Sequence, residues 1–200
     1  SRVGLTGFRT PGMRRYVDWQ NRLVTAEQLA RARFLEIPAM QQTGLYRRAL
    51  LERLGGFRDD PRWPFDIDFW MRAFAAGARI EKLPRVLYRW RQHERQSTRT
   101  SPRHAPDALL ACKAHHLVAG PGRDRPLLVL SRGRTLERWR DALVAAGAAQ
   151  VETAEWRLSS GPPPARPRGG LRLFAYGAPV TRAAIEATLA PLDPDDWFVA

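Results

Sequence analysis

The amino-acid sequence predicts an α/β protein in two parts, and three stretches carry that prediction. Ile67, Trp70, Met71 and Phe74 fall at i, i+3, i+4 and i+7, the spacing of one apolar helix face. Val86–Trp90 alternates instead: Val86, Tyr88 and Trp90 share one side, while Leu87, Arg89 and Arg91 share the other, as in a strand. From Leu127 the pattern reads strand, helix, strand, strand, helix, strand, the order of a small layered α/β module.

Taken in order, Ser1–Leu5 reads as a strand end, and Gly4, Gly7, Pro11 and Gly12 make the next stretch a loop. Tyr16, Trp19 and Leu23 form a short helical face. Thr25-Ala26-Glu27-Gln28 is a capping box, and its helix must stop before Pro38. Ala39–Tyr46 is expected as a strand lining a cavity, because Gln41, Gln42 and Thr43 are too polar for a core strand. Arg47–Leu54 reads as a helix with Leu50, Leu51 and Leu54 inward, ended by Gly55-Gly56, after which Phe57 returns to the core. The central helix follows and ends at Gly77. Arg79–Leu83 is expected as a strand turned by Pro84, and Ser101–Pro106 as a linker. Asp107–Val118 reads as a helix, and Gly120–Pro126 as a second linker. In the second part Leu127–Leu130 is a buried strand, Thr135–Ala146 a helix ended by Gly147, and Gln150–Leu158 a strand. Ser159–Gly170 is a flexible Pro/Gly/Arg loop, Leu171–Tyr176 a strand, Thr181–Leu189 a helix and Trp197–Val199 the last strand.

Composition narrows the function classes. The 200 residues are 44% hydrophobic, enough for a core, and no apolar run is long enough to cross a bilayer. Cys112 is the only cysteine, which excludes an internal disulfide framework and fits a cytoplasmic setting. His115 and His116 are adjacent on a helix, pointing about 100° apart, so they do not chelate one ion easily. The net charge of +13 invites a nucleic-acid reading. However, Lys82 and Lys113 are the only lysines, and the arginines are scattered through an Ala/Arg/Pro/Gly-rich chain, so the charge reads as a solvated surface. The chain opens Ser1-Arg2-Val3, with neither initiator methionine nor signal peptide, as expected of a fragment or a processed product.

The chemistry-bearing stretch is Trp63-Pro64-Phe65-Asp66-Ile67-Asp68-Phe69-Trp70-Met71-Arg72. Asp66 stands at or just before the first helical turn, where unpaired backbone N–H groups favour negative charge. Taken alone it is a helix N-cap. Asp68 lies four residues before Arg72, so the two can pair. Around this stretch stand, in order, Gly55-Gly56-Phe57, Asp66–Arg72, Leu83-Pro84 and Tyr88-Arg89-Trp90-Arg91-Gln92-His93. The series resembles the acceptor-side half of a family-2 glycosyltransferase of GT-A fold. That family carries a Gly-Gly-Phe turn, a Glu-Asp-x-Asp-Leu-Trp-x-Arg helix, a Leu-Pro and a Tyr-Arg-x-Arg-x-His segment. Each piece is weak alone; four in register are specific.

The resemblance implies a partial GT-A domain over residues 1–100, its N-terminal nucleotide-binding half absent, a helical linker over 101–125, and a Rossmann-like α/β module over 126–200. It implies inverting transfer of a sugar from a nucleotide-sugar donor to a glycan or other hydroxyl acceptor. Asp66 would be the general base that takes the acceptor proton. Trp63 and Phe65 would offer flat faces to a sugar, and Asp68 would orient acceptor hydroxyls or pair with Arg72. Arg89 and Arg91 would meet the donor diphosphate. A divalent metal, Mn or Mg, would be held mostly by an Asp-x-Asp outside this chain, with His93 as a further ligand. Two departures stand out: the family's Glu before the base is Phe65 here, and no donor-side Asp-x-Asp precedes it. The chain alone is therefore expected to be inactive. The alternative is a non-catalytic glycan- or protein-binding module derived from such an enzyme. In the tail, Ser131-Arg132-Gly133-Arg134-Thr135-Leu136 keeps one glycine of a Gly-x-Gly-x-x-Gly turn, so no phosphate cradle is expected.

Overall fold

The computed structural model describes residues 1–7 and 10–200. The chain divides into two compact units, 1–109 and 110–200. Both are α/β with parallel sheets.

In the first unit, β1 (Arg2–Gly7) pairs in parallel with β2 (Val86–Gln92), setting Val3 beside Tyr88, Leu5 beside Trp90 and Gly7 beside Gln92. The expected alternation holds from Tyr88 on, whereas Val86, expected on the same face as Tyr88 and Trp90, is 56% exposed beside a register shift at Arg2/Val3. Tyr88 and Trp90 pack with Leu5 and Tyr16 on Val3, Val17 and Met40, while Leu87, Arg89 and Arg91 are exposed. Helix α1 (Pro11–Arg22) lies against β1. Pro11 and Gly12, expected in a loop, are its first residues. Thr10 accepts the Met13 N–H as cap, and proline at the first helical position loses no intrahelical bond. Helix α2 (Ala26–Ala32) carries the expected capping box, with Thr25 on the Gln28 N–H and Gln28 on the Thr25 N–H. Replacing Thr25 by Ala is expected to cost about 1 kcal/mol, read as a lowered midpoint in urea.

Two expected strands are absent. Gln41–Thr43 is a single 3₁₀ turn: the Thr43 hydroxyl and N–H both bond the Met40 carbonyl, which curls the backbone away from an extended path. Arg79–Leu83 joins no ladder. It is anchored by Lys82, 5% exposed, whose N–H donates to the Val24 carbonyl and whose Nζ donates to the carbonyls of Gln20 (2.5 Å) and Pro38 (2.7 Å). One buried cation thereby ties the end of α1 to the Pro38 segment.

Burial pushes the Lys82 ammonium down to about 8, with Arg2 adding to the effect. The folded state therefore releases this proton more readily than the unfolded chain. Its contribution penalises the fold below pH 8, and the penalty fades as pH rises toward the unfolded value of 10.5. In Lys82→Met the Gln20 carbonyl keeps the Leu23 N–H, but the Pro38 carbonyl loses its donor. The expected cost is about 2 kcal/mol at neutral pH. The gap between wild type and variant should widen from pH 8 to 10.5, as measured by thermal melts across that range.

Helix α3 (Arg48–Leu54) ends on Gly55 in the left-handed region (φ 67°). Its leucines 50, 51 and 54 are half-buried. Helix α4 (Phe65–Ala75) closes with a Schellman pair at Gly77, Ala78 N–H to Ala73 and Gly77 N–H to Phe74. It is buried over every residue from Ile67 to Ala73, not along one face. Its polar side can be buried because Asp68 and Arg72 neutralise each other. After β2 come α5 (Ser97–Thr100) and a 3₁₀ turn, Pro102–His104. This stretch, expected as a linker, is fastened to the first unit by Arg103 on Asp59 (2.6 Å). Helix α6 (Pro106–Ala119) contains the division between the units.

The second unit has the sheet order β4-β3-β5-β6, all parallel, from β3 (Leu127–Ser131), β4 (Val151–Glu155), β5 (Leu171–Ala175) and β6 (Asp196–Val199). Helix α7 (Gly133–Ala145) crosses from β3 to β4, and α8 (Pro179–Leu189) from β5 to β6. The fully buried β3 reads as an unbroken apolar run, as a central parallel strand should. The 159–170 loop, expected as flexible, is held: Trp156 Nε1 donates to Gly161, Arg172 to Pro164, and Arg125 to Gly169 and Gly170. At the first N–H of α7, Gly133 donates to the Glu155 carboxylate. A protein carboxylate therefore sits where a helix N-terminus would otherwise take a phosphate.

Candidate functional site

The site is built on the tip of α4. Pro64 is the N-cap residue and supplies no side-chain hydrogen bond. Asp66, at the second helical position, does the work of a cap from inside the first turn: its Oδ1 accepts the Ile67 N–H at 2.9 Å. Burial lifts the Asp66 carboxyl above its usual range. The Ile67 N–H and the His104 imidazole pull it back down, and Glu36 pushes it up. The result is a half-buried carboxylate that is a stronger base than a solvated one.

Four groups from other segments share an electrostatic coupling with this carboxyl. Tyr16 comes from α1, and its hydroxyl donates to the Ile37 carbonyl and accepts from Gln20 Nε2. Glu36 follows α2 and accepts the Ile37 N–H. Tyr46 precedes α3 and donates to the Gln41 carbonyl. His104 comes from the 3₁₀ turn after α5. Both phenols feel the Asp66 charge. Tyr16 is held well above the usual tyrosine value, by burial first and then by Glu36 and Asp66; Tyr46 is pushed to about 12 by burial and Asp66.

An aromatic surface flanks the carboxyl. Phe57 and Phe65, 37% and 38% exposed, stand edge to face at 5.8 Å, and Phe57 packs on the buried Phe69 at 4.3 Å. Tyr46 closes the cluster, 6.0 Å from Phe57 and 5.3 Å from Phe69. Trp63 is buried, with the Arg62 guanidinium 4.2 Å over its ring, so the ring faces open to a ligand are those of Phe57 and Phe65. A cavity of about 10 Å³, room for one water, lies on another side of α4 between Ile67, Trp70, Phe74, Arg33 and Ile37.

Of the sequence-predicted residues, Asp68 is turned inward. It is 3% exposed and pairs with Arg72 at 2.7 Å. Arg72 also donates to the Leu54 and Gly56 carbonyls, so this ion pair clamps α4 to the Gly55-Gly56 turn and fixes where the Asp66 tip lies. Arg89 and Arg91 are exposed on the β2 face opposite the one that packs on Tyr16. Their stems lie over Gly4 and Gly7, where no Cβ intervenes. Tyr16 is the residue that links the β2 core face to Asp66, so the two arginines project from the other side of the sheet. His93 is exposed beyond the end of β2, its N–H toward Gln96 Oε1. Among the described residues no three His, Cys, Asp or Glu side chains converge as an ion requires.

Glu36, His104, Tyr16 and Tyr46 were not singled out from the sequence. They lie 20 to 50 positions from Asp66 and share no spacing with it. The lone hint is that Tyr46 directly follows Gly44-Leu45 in a stretch too polar for a core. Compared with protein-family models, with curated proteins and with solved structures, the chain matches none.

Proposed function

We propose that this chain carries the acceptor side of an inverting sugar transferase related to the GT-A family-2 enzymes, with Asp66 as general base. The observation that carries the reading is the half-buried Asp66 carboxyl, raised in basicity at a helix tip beside exposed aromatic rings. An acceptor alcohol placed against Phe57 and Phe65 gives its proton to the Asp66 carboxylate. Its oxygen then bonds the anomeric carbon of a nucleotide sugar as the nucleoside diphosphate leaves from the opposite face, so the centre inverts. Aromatic faces suit the C–H side of a pyranose, and hydroxyls suit the carboxylate. Arg89 and Arg91 project from the opposite face of the sheet, so the charge that meets the leaving diphosphate comes from other groups than these two.

The four-motif series in register supports the assignment to this family. A second reading, a glycan-binding module without transfer, is favoured by the exposed Phe57–Phe65 pair, which works without a base. The test uses the protein as its gene encodes it, offered labelled nucleotide sugars with glycan and small hydroxyl acceptors. Label transferred with inverted anomeric configuration supports the transferase. Glycan binding lost in Phe65→Ala, with no transfer from any donor, selects the binding module. Neither binding nor transfer removes both readings.

A further inference from the structure

The outer face of the β1–β2 pair carries side chains that the acceptor site does not use. Parallel sheets are ordinarily covered on both faces. Here Tyr16 and Val17 of α1, with Met40, cover the inner one. On the outer face β1 contributes glycines. A Cβ on Gly4 would meet Val86 Cγ1 at 3.2 Å and the Arg89 stem at 3.9 Å, and one on Gly7 would meet the Arg91 stem at 3.4 Å. Val86, Arg89 and Arg91 therefore lie along one face, and the register shift at Arg2/Val3 is what brings Val86 there. Val86 is 56% exposed, Leu87 59% and Leu83, just before the strand, 61%. Three large aliphatic side chains within five positions, each more than half exposed, make a contiguous apolar patch.

The charge beside this patch has one sign. Arg85, Arg89 and Arg91 are exposed, and no Asp or Glu occurs from Lys82 to His93. The acid just ahead, Glu81, is bound to Arg79 at 2.7 Å. The stems of Arg89 and Arg91 rest on the glycine floor, which leaves their guanidinium heads free to reach a ligand above the sheet.

We infer that this face docks on an anionic lipid surface. Leu83, Val86 and Leu87 enter the boundary between headgroups and acyl chains, and Arg85, Arg89 and Arg91 meet lipid phosphates. Charge complementarity selects this occupant. A second copy of the chain would set arginines against arginines. A soluble polyanion would satisfy the arginines and leave three aliphatic side chains in water; a bilayer meets both needs. The net charge of +13 draws the whole chain toward the same surface. Docking uses no residue of the Asp66 site, so it stands or falls apart from the transferase reading.

The experiment is co-sedimentation of the intact chain with vesicles at physiological ionic strength. One set is phosphatidylcholine alone, the other an equal mixture of phosphatidylcholine and phosphatidylglycerol. The chain should partition onto the mixed vesicles and not onto phosphatidylcholine. Arg89→Gln/Arg91→Gln should lower that partitioning by roughly fivefold per arginine, and Leu83→Ser/Leu87→Ser by roughly tenfold per leucine. Arg134→Gln/Arg138→Gln, which takes the same charge from exposed positions of α7, should change it by less than about twofold. No binding to mixed vesicles overturns the inference. So does a leucine pair equal to wild type, which assigns the arginines to a soluble acidic partner or nucleic acid. So does an α7 pair that loses as much as Arg89→Gln/Arg91→Gln, which reduces the attraction to diffuse charge. A dimer in sedimentation velocity that the leucine pair dissolves gives the face to a second copy and overturns it too. Should the leucine pair not fold, Val86→Ser decides: lowered partitioning supports docking, and wild-type partitioning overturns it.

Discussion

Asp66→Asn is expected to lower sugar transfer by roughly 10²- to 10⁴-fold, the usual contribution of a positioned general base. The amide keeps the shape of the carboxyl and can still accept the Ile67 N–H. It cannot take a proton from an alcohol. Donor binding should stay near wild type, because the proposed role of Asp66 is toward the acceptor hydroxyl and not the donor. Stability should hold or rise slightly. Burial disfavours the charged form of Asp66, so a neutral isostere relieves a penalty, as substitutions at functional sites commonly do. Loss of transfer together with an unchanged or higher melting temperature supports the base assignment. Loss of transfer with a collapsed melting temperature assigns Asp66 a structural role, and full activity removes it from the mechanism.

Asp68→Ala should destabilise the first unit by about 3–5 kcal/mol, the cost of stranding one member of a buried ion pair. The Arg72 side chain is 10% exposed and keeps its charge. Its bonds to the Leu54 and Gly56 carbonyls do not replace the lost carboxylate. The double variant Asp68→Ala/Arg72→Met should recover much of the loss, since the uncompensated charge is then gone. Chemical denaturation of the single and double variants measures both terms. A surface pair would give less than about 1 kcal/mol, and that result would overturn the description of Asp68 and Arg72 as an interior clamp. Because the clamp sets the position of the α4 tip, transfer in Asp68→Ala should fall even at temperatures where the variant is folded.

The α4 segment shows how local and distant information divide. Its start after Pro64, its acid-rich first turn, its Asp68–Arg72 spacing and its stop at Gly77 are all visible in the short run from Pro64 to Gly77, because each depends on near neighbours in the chain. The capping box at Thr25 was legible for the same reason. The strands expected at 39–46 and 79–83 failed for the opposite reason. A strand exists only when a neighbour supplies its ladder, and here Met40 bonded the Thr43 N–H while Lys82 tied its segment to Gln20, Val24 and Pro38.

The sequence by itself determined the α/β class, the capped start at Thr25 and the stop at Gly77, the Tyr88/Trp90 face of β2 and the candidate carboxyl at position 66. Each follows from short-range periodicity and capping chemistry. Tertiary structure decided what surrounds that carboxyl: Asp68 turned inward onto Arg72, Arg89 and Arg91 set on the far face of the sheet, and Tyr16, Glu36, Tyr46 and His104 gathered from four separate segments. Charge acts through space and desolvation depends on what packs nearby, so neither is written in residue spacing.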